Sequence, residues 1–319
     1  MKMTRFVVRM FSIGAMILGA DGVSSQDFPN KPIRVVTSLA GGGVDFIARL
    51  IAQGITGPLG QQVIVDNRST FLTAEIVSKA PPDGYTLLVA SSPFFVGPFL
   101  QKVLYHPVRD FSPITLVSKE PSILVVHPSV AANSVKELIA LAKARPGELR
   151  YSSAVRGSSL HLSAELFKSM AGVNIVSVAY KGTGAGVIGV LSGEVQMIFV
   201  GATSVASHTK SGKLRALAVT SAQPSALAPG LPTVAAAGLP GFEFVGIDLV
   251  FAPAGTPAAA INRLNREMVR FLNTAGARER LFNSGVEAVG SSPEELAATM
   301  KSEMTKLGKL IKDLGITID

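Results

Sequence analysis

Two stretches of this chain bring together groups that hold small anions. Ser38-Leu39-Ala40-Gly41-Gly42-Gly43-Val44-Asp45 follows an apolar run and opens a helical pattern. Three successive glycines let the backbone approach a ligand closely and turn N–H groups outward. A helix N-terminus placed there attracts negative charge. Asp45 either joins that site or only caps the helix. The second stretch, Ser152-Ser153-Ala154-Val155-Arg156-Gly157-Ser158-Ser159-Leu160-His161, repeats the theme. Hydroxyls, backbone amides and a guanidinium at a helix start make an anion site, and Arg156 is suited to a bidentate grip on a carboxylate. His161 reads as a hydrogen-bonding group at the helix start, not as a metal ligand. Tyr180-Lys181-Gly182 ends a third strand. Ser69-Thr70, Ser91-Ser92, and Gly201 with Thr203 stand at further joins between strand and helix and complete the candidate set.

Other chemistries find little support. Gly184, Gly186 and Gly189 match GxGxxG by spacing, but no acid ending a strand about 20 residues later supports a dinucleotide. No Walker pattern and no GxSxG occurs. Ser153 with His161 is the only hydrolase-like pairing, and no orienting acid is evident beside it. The four histidines contain no HxH or HxxxH pair and cysteine is absent, so we expect no metal, no cofactor and no disulfide. The net charge of +8 is scattered without a run of three cations, and aromatics are only 6% of residues. Nucleic-acid binders gather cations on one face among stacking rings, so nucleic acid is not expected as a partner.

The elements that must position these groups alternate. Residues 33–39, 62–67 and 86–92 read as strands. Between them, Ile47, Leu50, Ile51 and Ile55 mark one helical face, and a second helix falls near 72–80. A second alternating block runs from 149 to 221, with helices from Ser158, near 184–193 and near 204–212. Ser134 with Glu137, and Ser292 with Glu295, have capping-box spacing. Thr256-Pro257 and Ser292-Pro293 each place a cap residue before a helix-opening proline. Residues 114–128 and 242–253 are long, extended and apolar, and each is suited to cross between blocks. The expected architecture is two α/β domains joined by two crossover strands, with the helical tail packed on the first. Ligands in such folds sit at the carboxyl ends of parallel strands beside helix N-termini.

Lys2, Arg5 and Arg9, then the apolar run Met10–Ala20, then small residues at Val23 and Ser25 have the order of a secretory signal. The apolar run is too short for a membrane helix, which needs about 20 residues. Cleavage after Ser25 leaves +6 over 294 residues, a soluble exported chain.

FPNKPIRVV, AGGGVDFIARL, PPDGYTLL, YHPVRDFSPITLV, HLSAELFKSMAGV, GKLRALAVTS, LPTVAAAGLPGFE and FAPAGTP, in this order, resemble the periplasmic solute receptors of tripartite tricarboxylate transporters, also called Bug or TctC-type receptors. The resemblance covers residues 28–319. It implies a type II-like periplasmic binding protein with domain 1 over 26–125 and 247–319, domain 2 over 126–246, and a cleft between them. It further implies a monomer that binds a small carboxylate, does no catalysis and delivers to a two-subunit membrane permease. A sensory receptor for a signalling partner is the alternative reading, and a secreted hydrolase is a third. Several positions depart from the family pattern. Val155-Arg156 stands where a Gly-Asn pair is common, Gln196 and Val200 replace frequent aspartates, and Ile247-Asp248 falls where an aromatic pair is common. Loss of two acids and gain of Arg156 favour an anionic ligand group at the second domain. Asp248, if it faces the cleft, would pair with an ammonium or hydroxyl, and Phe71, Phe94 or Phe95 would add apolar space.

Overall fold

The computed structural model describes residues 28–153 and 157–315. The expected signal segment and Arg156 lie outside the described residues, as does the side chain of Phe71.

The first alternating block forms β1 (Ile33–Thr37), α1 (Gly43–Leu59), β2 (Val63–Asn67), α2 (Thr70–Ser78) and β3 (Thr86–Ser91). β1 pairs in parallel with β2 on one side and β3 on the other. Ile47, Leu50, Ile51 and Ile55 lie on the buried face of α1, against Ile33, Val35, Leu87 and Val89 of the sheet. Each such side chain taken from water contributes about 1.5–3 kcal/mol. After β3 comes an element with no periodic signal, α3 (Pro93–Leu100), whose sequence PFFVGPFL is apolar on nearly every side. Phe94 and Phe95 are buried there, and Phe94 packs against Tyr105, Phe111 and Phe251.

β4 (Phe111–Val126) is one strand of 16 residues and the spine of the molecule. Beyond α4 (Val135–Ala144), the second block forms β5 (Arg150–Ser153), α5 (Ser159–Ala171), β6 (Val176–Ala179), α6 (Thr183–Leu191) and β7 (Met197–Gly201). β5 is flanked in parallel by β6 and β7, the arrangement β1 has with β2 and β3. α7 (Ala202–Lys210) and β8 (Arg215–Val219) follow, and then β9 (Val245–Pro253). The first half of β4 pairs antiparallel with β9, with Ser118 opposite Asp248. Its second half pairs with β7 and β8, with Ser122 opposite Gly201. β4 therefore runs through both sheets, and β9 returns the chain from the second block to the first. β9 also pairs antiparallel with β3.

The tail comprises α8 (Ala258–Leu272), α9 (Ala275–Asn283), β10 (Glu287–Ala288) and α10 (Pro293–Leu314). α8 packs on α1 and β4, and α10 on α3 and β4. Ser292 and Glu295 form the full capping box. Ser134 accepts the Glu137 N–H as expected, but the Glu137 carboxylate reaches Asn133 N–H instead of the cap residue. α8 begins at Ala258, one residue later than Thr256-Pro257 suggested. Pro257 occupies the cap position and the Thr256 hydroxyl turns back to the Pro253 carbonyl.

Candidate ligand-binding cleft

In each βαβαβ unit the chain leaves the central strand and its neighbour toward opposite faces, which opens a crevice at their carboxyl ends. The crevice of the first unit is bounded by the glycine loop after β1 and by Ser91 to Pro93 after β3. That of the second is bounded by the loop before α5 and by the end of β7. A cavity of about 340 Å³ lies where these ends face each other. Its lining includes Gly43, Ser91, Ser158, Ser159 and Asp248 from the predicted set, together with Phe46, Glu120 and Ser284. A smaller neighbouring void of about 30 Å³ touches Ser38, Thr70, Ser91 and Phe94. A larger cavity, about 520 Å³, is lined by Lys119, Val245, Glu303 and Lys306. Side chains alternate along a strand, so Lys119 and Val245 face this cavity while Glu120 and Gly246 face the first. The larger cavity therefore lies on the other face of the crossing strands, away from every residue in the candidate set.

Several candidates shape the cleft without lining it. Asp45 is turned inward, where it accepts from Gly41 N–H at 2.9 Å, Asn67 Nδ2 at 2.8 Å and Arg49 Nε. Burial alone would raise its pKa, but the bonds from Arg49, Asn67 and Gly41 outweigh it and hold the carboxyl below its usual value. Asp45 thus folds the loop Ala40-Gly41-Gly42, with Gly41 at φ 85°. α1 opens at Gly43 with no side-chain cap, which leaves its first N–H groups toward the cleft. Ser69 precedes α2, and its carbonyl accepts from Leu72 and Thr73. Ser92 is buried, and its hydroxyl accepts the Ile247 N–H at 3.2 Å, tying the β3–α3 join to β9. Ser153 is buried at the end of β5.

At the start of α5, Ser158 accepts the His161 N–H, and His161 Nδ1 accepts the Gly157 N–H at 3.3 Å. His161 is buried in that helix-start role. Gly157 has φ +79°, and a Cβ there would lie 2.5 Å from Leu100 of α3, so the two halves touch at this loop. They touch again where Thr203 meets Gly285, and where the Ser225 hydroxyl donates to Glu287.

Tyr180 does not reach the cleft. Its hydroxyl lies against α6, 2.4 Å from where a Gly189 Cβ would be, while a Gly186 Cβ would sit 2.2 Å from Ser152 Oγ. The GxGxxG spacing is thus a close-packing device for α6. Lys181 and Gly182 are exposed before α6 and line none of these cavities.

Two sequence arguments need correction. Gln196 bridges Arg150 N–H and the Gly193 carbonyl, and Val200 is fully buried in the second half's core. Neither faces the cavity, so the absence of acids at those positions says nothing of ligand charge. Phe94 and Phe95 are core residues of the first half, and the ring lining the cavity is Phe46.

The sequence reading missed Glu120. Its signal was the charged pair Lys119-Glu120 ahead of Pro121 inside an otherwise apolar strand. The Glu120 carboxylate stands between Gly201 and Gly246, whose Cβ positions would lie 3.6 and 3.5 Å from its oxygens. Desolvation by the surrounding walls, then the charge of Asp248, pushes its pKa up to about 7. Glu120 is exposed, so solvent screens that effect. Asp248 is 8% exposed and accepts from Ser118 Oγ at 2.7 Å. Burial pushes its pKa up to about 6, against the lowering effect of that bond.

Among the described residues no group of three or more His, Cys, Asp or Glu side chains is arranged to hold a metal ion, and no helix is long and apolar enough to cross a membrane.

The chain is similar to known proteins along most of its length. Residues 47–316 match the family model described as the tripartite tricarboxylate transporter family receptor. A Pseudomonas sp. (strain P51) protein, the UPF0065 protein in the tcbD-tcbE intergenic region, is 38% identical over 290 residues, 89% of this chain and 86% of that one. The solved structure of R. palustris Rpa4515 with adipate is 34% identical, with a TM-score of 0.76, over 92% of this chain and all of that one. MatC (Rpa3494) from Rhodopseudomonas palustris with bound malate is 27% identical, with a TM-score of 0.71, over 89% of this chain and all of that one. The matched span holds the crossing strands, the whole second strand–helix unit and the first from within α1 onward, and the chain belongs to the tripartite tricarboxylate transporter receptor family of periplasmic solute-binding proteins.

Proposed function

We propose that this receptor captures a small organic carboxylate in the 340 Å³ cavity and presents it to a two-subunit permease of the tripartite tricarboxylate type. The observation that carries the reading is the cavity's position. It lies at the carboxyl ends of two facing βαβαβ units, with the uncapped start of α1 and the start of α5 on its wall. Backbone N–H groups at helix starts favour a carboxylate, and adipate and malate in the two solved relatives support that class. The cavity is near the lower end of the range for small-ligand sites, about 300–1,000 Å³, which suits a ligand of modest size.

In this reading the halves act as domains with boundaries near 125/126 and 246/247. They hinge on β4 and β9, and the contacts of Gly157 with α3 and of Thr203 with Gly285 form on closure. The protein works in the periplasm as a monomer after loss of residues 1–25, and carries no catalytic group. Arg156 keeps its assignment as a ligand contact on sequence grounds, together with Ser91, Ser158 and Ser159, which line the cavity.

The test is a thermal-shift screen of residues 26–319, stripped by unfolding and refolding, against aliphatic, aromatic and amino carboxylates. A carboxylate at 100 times its dissociation constant should add about 2.7 kcal/mol to the stability of the folded state. No shift with any of them would refute the carboxylate assignment.

A further inference from the structure

Among the described residues, the charged ones lining the 340 Å³ cavity are Glu120 and Asp248, and both are acids. Among the described residues neither forms an ion pair. Among the described residues Glu120 makes no hydrogen bond, and the two glycines beside its oxygens leave them open to the cavity. Asp248 is more than nine-tenths buried and uses Oδ2 for Ser118, while Oδ1 takes no bond among the described residues and is not a fully buried atom, so it can be reached from the cavity. A donor brought in by a ligand would replace water at that oxygen in a largely desolvated wall. The strands explain why the two acids meet. Ser118 pairs with Asp248 and Glu120 with Gly246, so both carboxyls project from the same face of the β4–β9 ribbon at its crossing point.

The opposite sign comes from elsewhere on the same wall. Gly43 at the start of α1 and Ser159 at the start of α5 line the cavity, and each helix carries partial positive charge at that end. The cavity is therefore dipolar, with helix starts for an anion and two carboxyls for a cation.

We propose that Glu120 and Asp248 form a cation subsite, so that the ligand is a carboxylate that also carries an ammonium group. The proposal rests on the receptor reading above and narrows its ligand class. An ammonium group placed against the pair supplies donors to the open oxygens of Glu120 and to Asp248 Oδ1, while the ligand carboxylate meets the helix starts. A carboxylate without the amine brings its own negative charge into the same cavity and leaves both acids uncompensated.

Matched acids with and without an amine test this on the stripped protein at pH 7.5, by calorimetric titration: adipate against 2-aminoadipate, hexanoate against 6-aminohexanoate, and succinate against aspartate. The amine-bearing member of at least one pair should bind about tenfold or more tightly than its partner. Glu120→Gln and Asp248→Asn should each reduce that preference. Circular dichroism establishes that each variant is folded, and Glu120→Gln alters only an open side chain. If the amine-free acids bind equally or better in every pair, or if the preference survives both substitutions, the cation subsite is overturned and the carboxylate receptor stands. If no acid of either kind binds, the carboxylate receptor itself is overturned and the subsite with it.

Discussion

Replacing Asp248 by asparagine should stabilise the unliganded protein, and more so at alkaline pH. The carboxyl is buried and its pKa rises from the ordinary 3.8 to about 6. At 1.36 kcal/mol per pH unit, keeping it ionised in the folded state costs about 3 kcal/mol once the pH is well above 6. The sign follows from proton counting. Between pH 4 and 6 the folded state holds a proton that the unfolded chain has released, so stability falls as pH rises through that window and the full cost stands above it. At pH 5 the unfolded group is already ionised, and about half of the cost is present. Asparagine has no charge to desolvate, and its side-chain oxygen still accepts from Ser118 Oγ. The advantage of Asp248→Asn should therefore grow by roughly 1 kcal/mol or more between pH 5 and pH 8. Urea unfolding of both proteins, stripped of ligand, at the two pH values measures this. A variant less stable than the parent at pH 8, or one whose advantage does not change with pH, would refute the account of Asp248 as a buried titrating acid.

Asp45 should show the opposite pH dependence. Its carboxyl is held below the ordinary value, so its contribution is present above about pH 4 and is lost as acid protonates it in the folded state. Asp45→Ala should cost about 2–3 kcal/mol at pH 7 and much less at pH 3, read from urea midpoints; an equal cost at both would point to packing instead. Gly186→Ala should lower stability by about 1–3 kcal/mol, because the new methyl meets Ser152 Oγ at 2.2 Å. Thermal unfolding checks this, and a neutral result would show that α6 has room to move.

The chemistry of the cleft and its cost to the fold are connected. Most buried polar groups in this protein are completed locally, as Asp45 is by three donors. Asp248 is completed on one oxygen only, and Glu120 on neither. In the proposed receptor, a ligand that satisfies them would favour the arrangement in which the two halves meet.

Sequence alone determined the alternation of strands and helices, the buried face of α1, the two crossing strands and the family. These depend on local periodicity and turn chemistry, which neighbouring residues largely set. It also marked the glycine loop and the start of α5, because helix starts with glycine and serine are local features. α3 was not legible, since an apolar octapeptide with two prolines has no period, and only its burial against Tyr105, Phe111 and Phe251 explains it. Tertiary structure decided which strand-end residues share a cavity. Tyr180 packs against α6, while Gln196 bonds to β5 and Asp45 to its own loop, each of these two drawn to the nearest donor or acceptor able to complete it. Glu120 and Asp248 are separated by more than a hundred residues, and no local pattern links them. The antiparallel register of β4 and β9 places them on one face at the crossing, because a strand shows alternate residues to opposite sides.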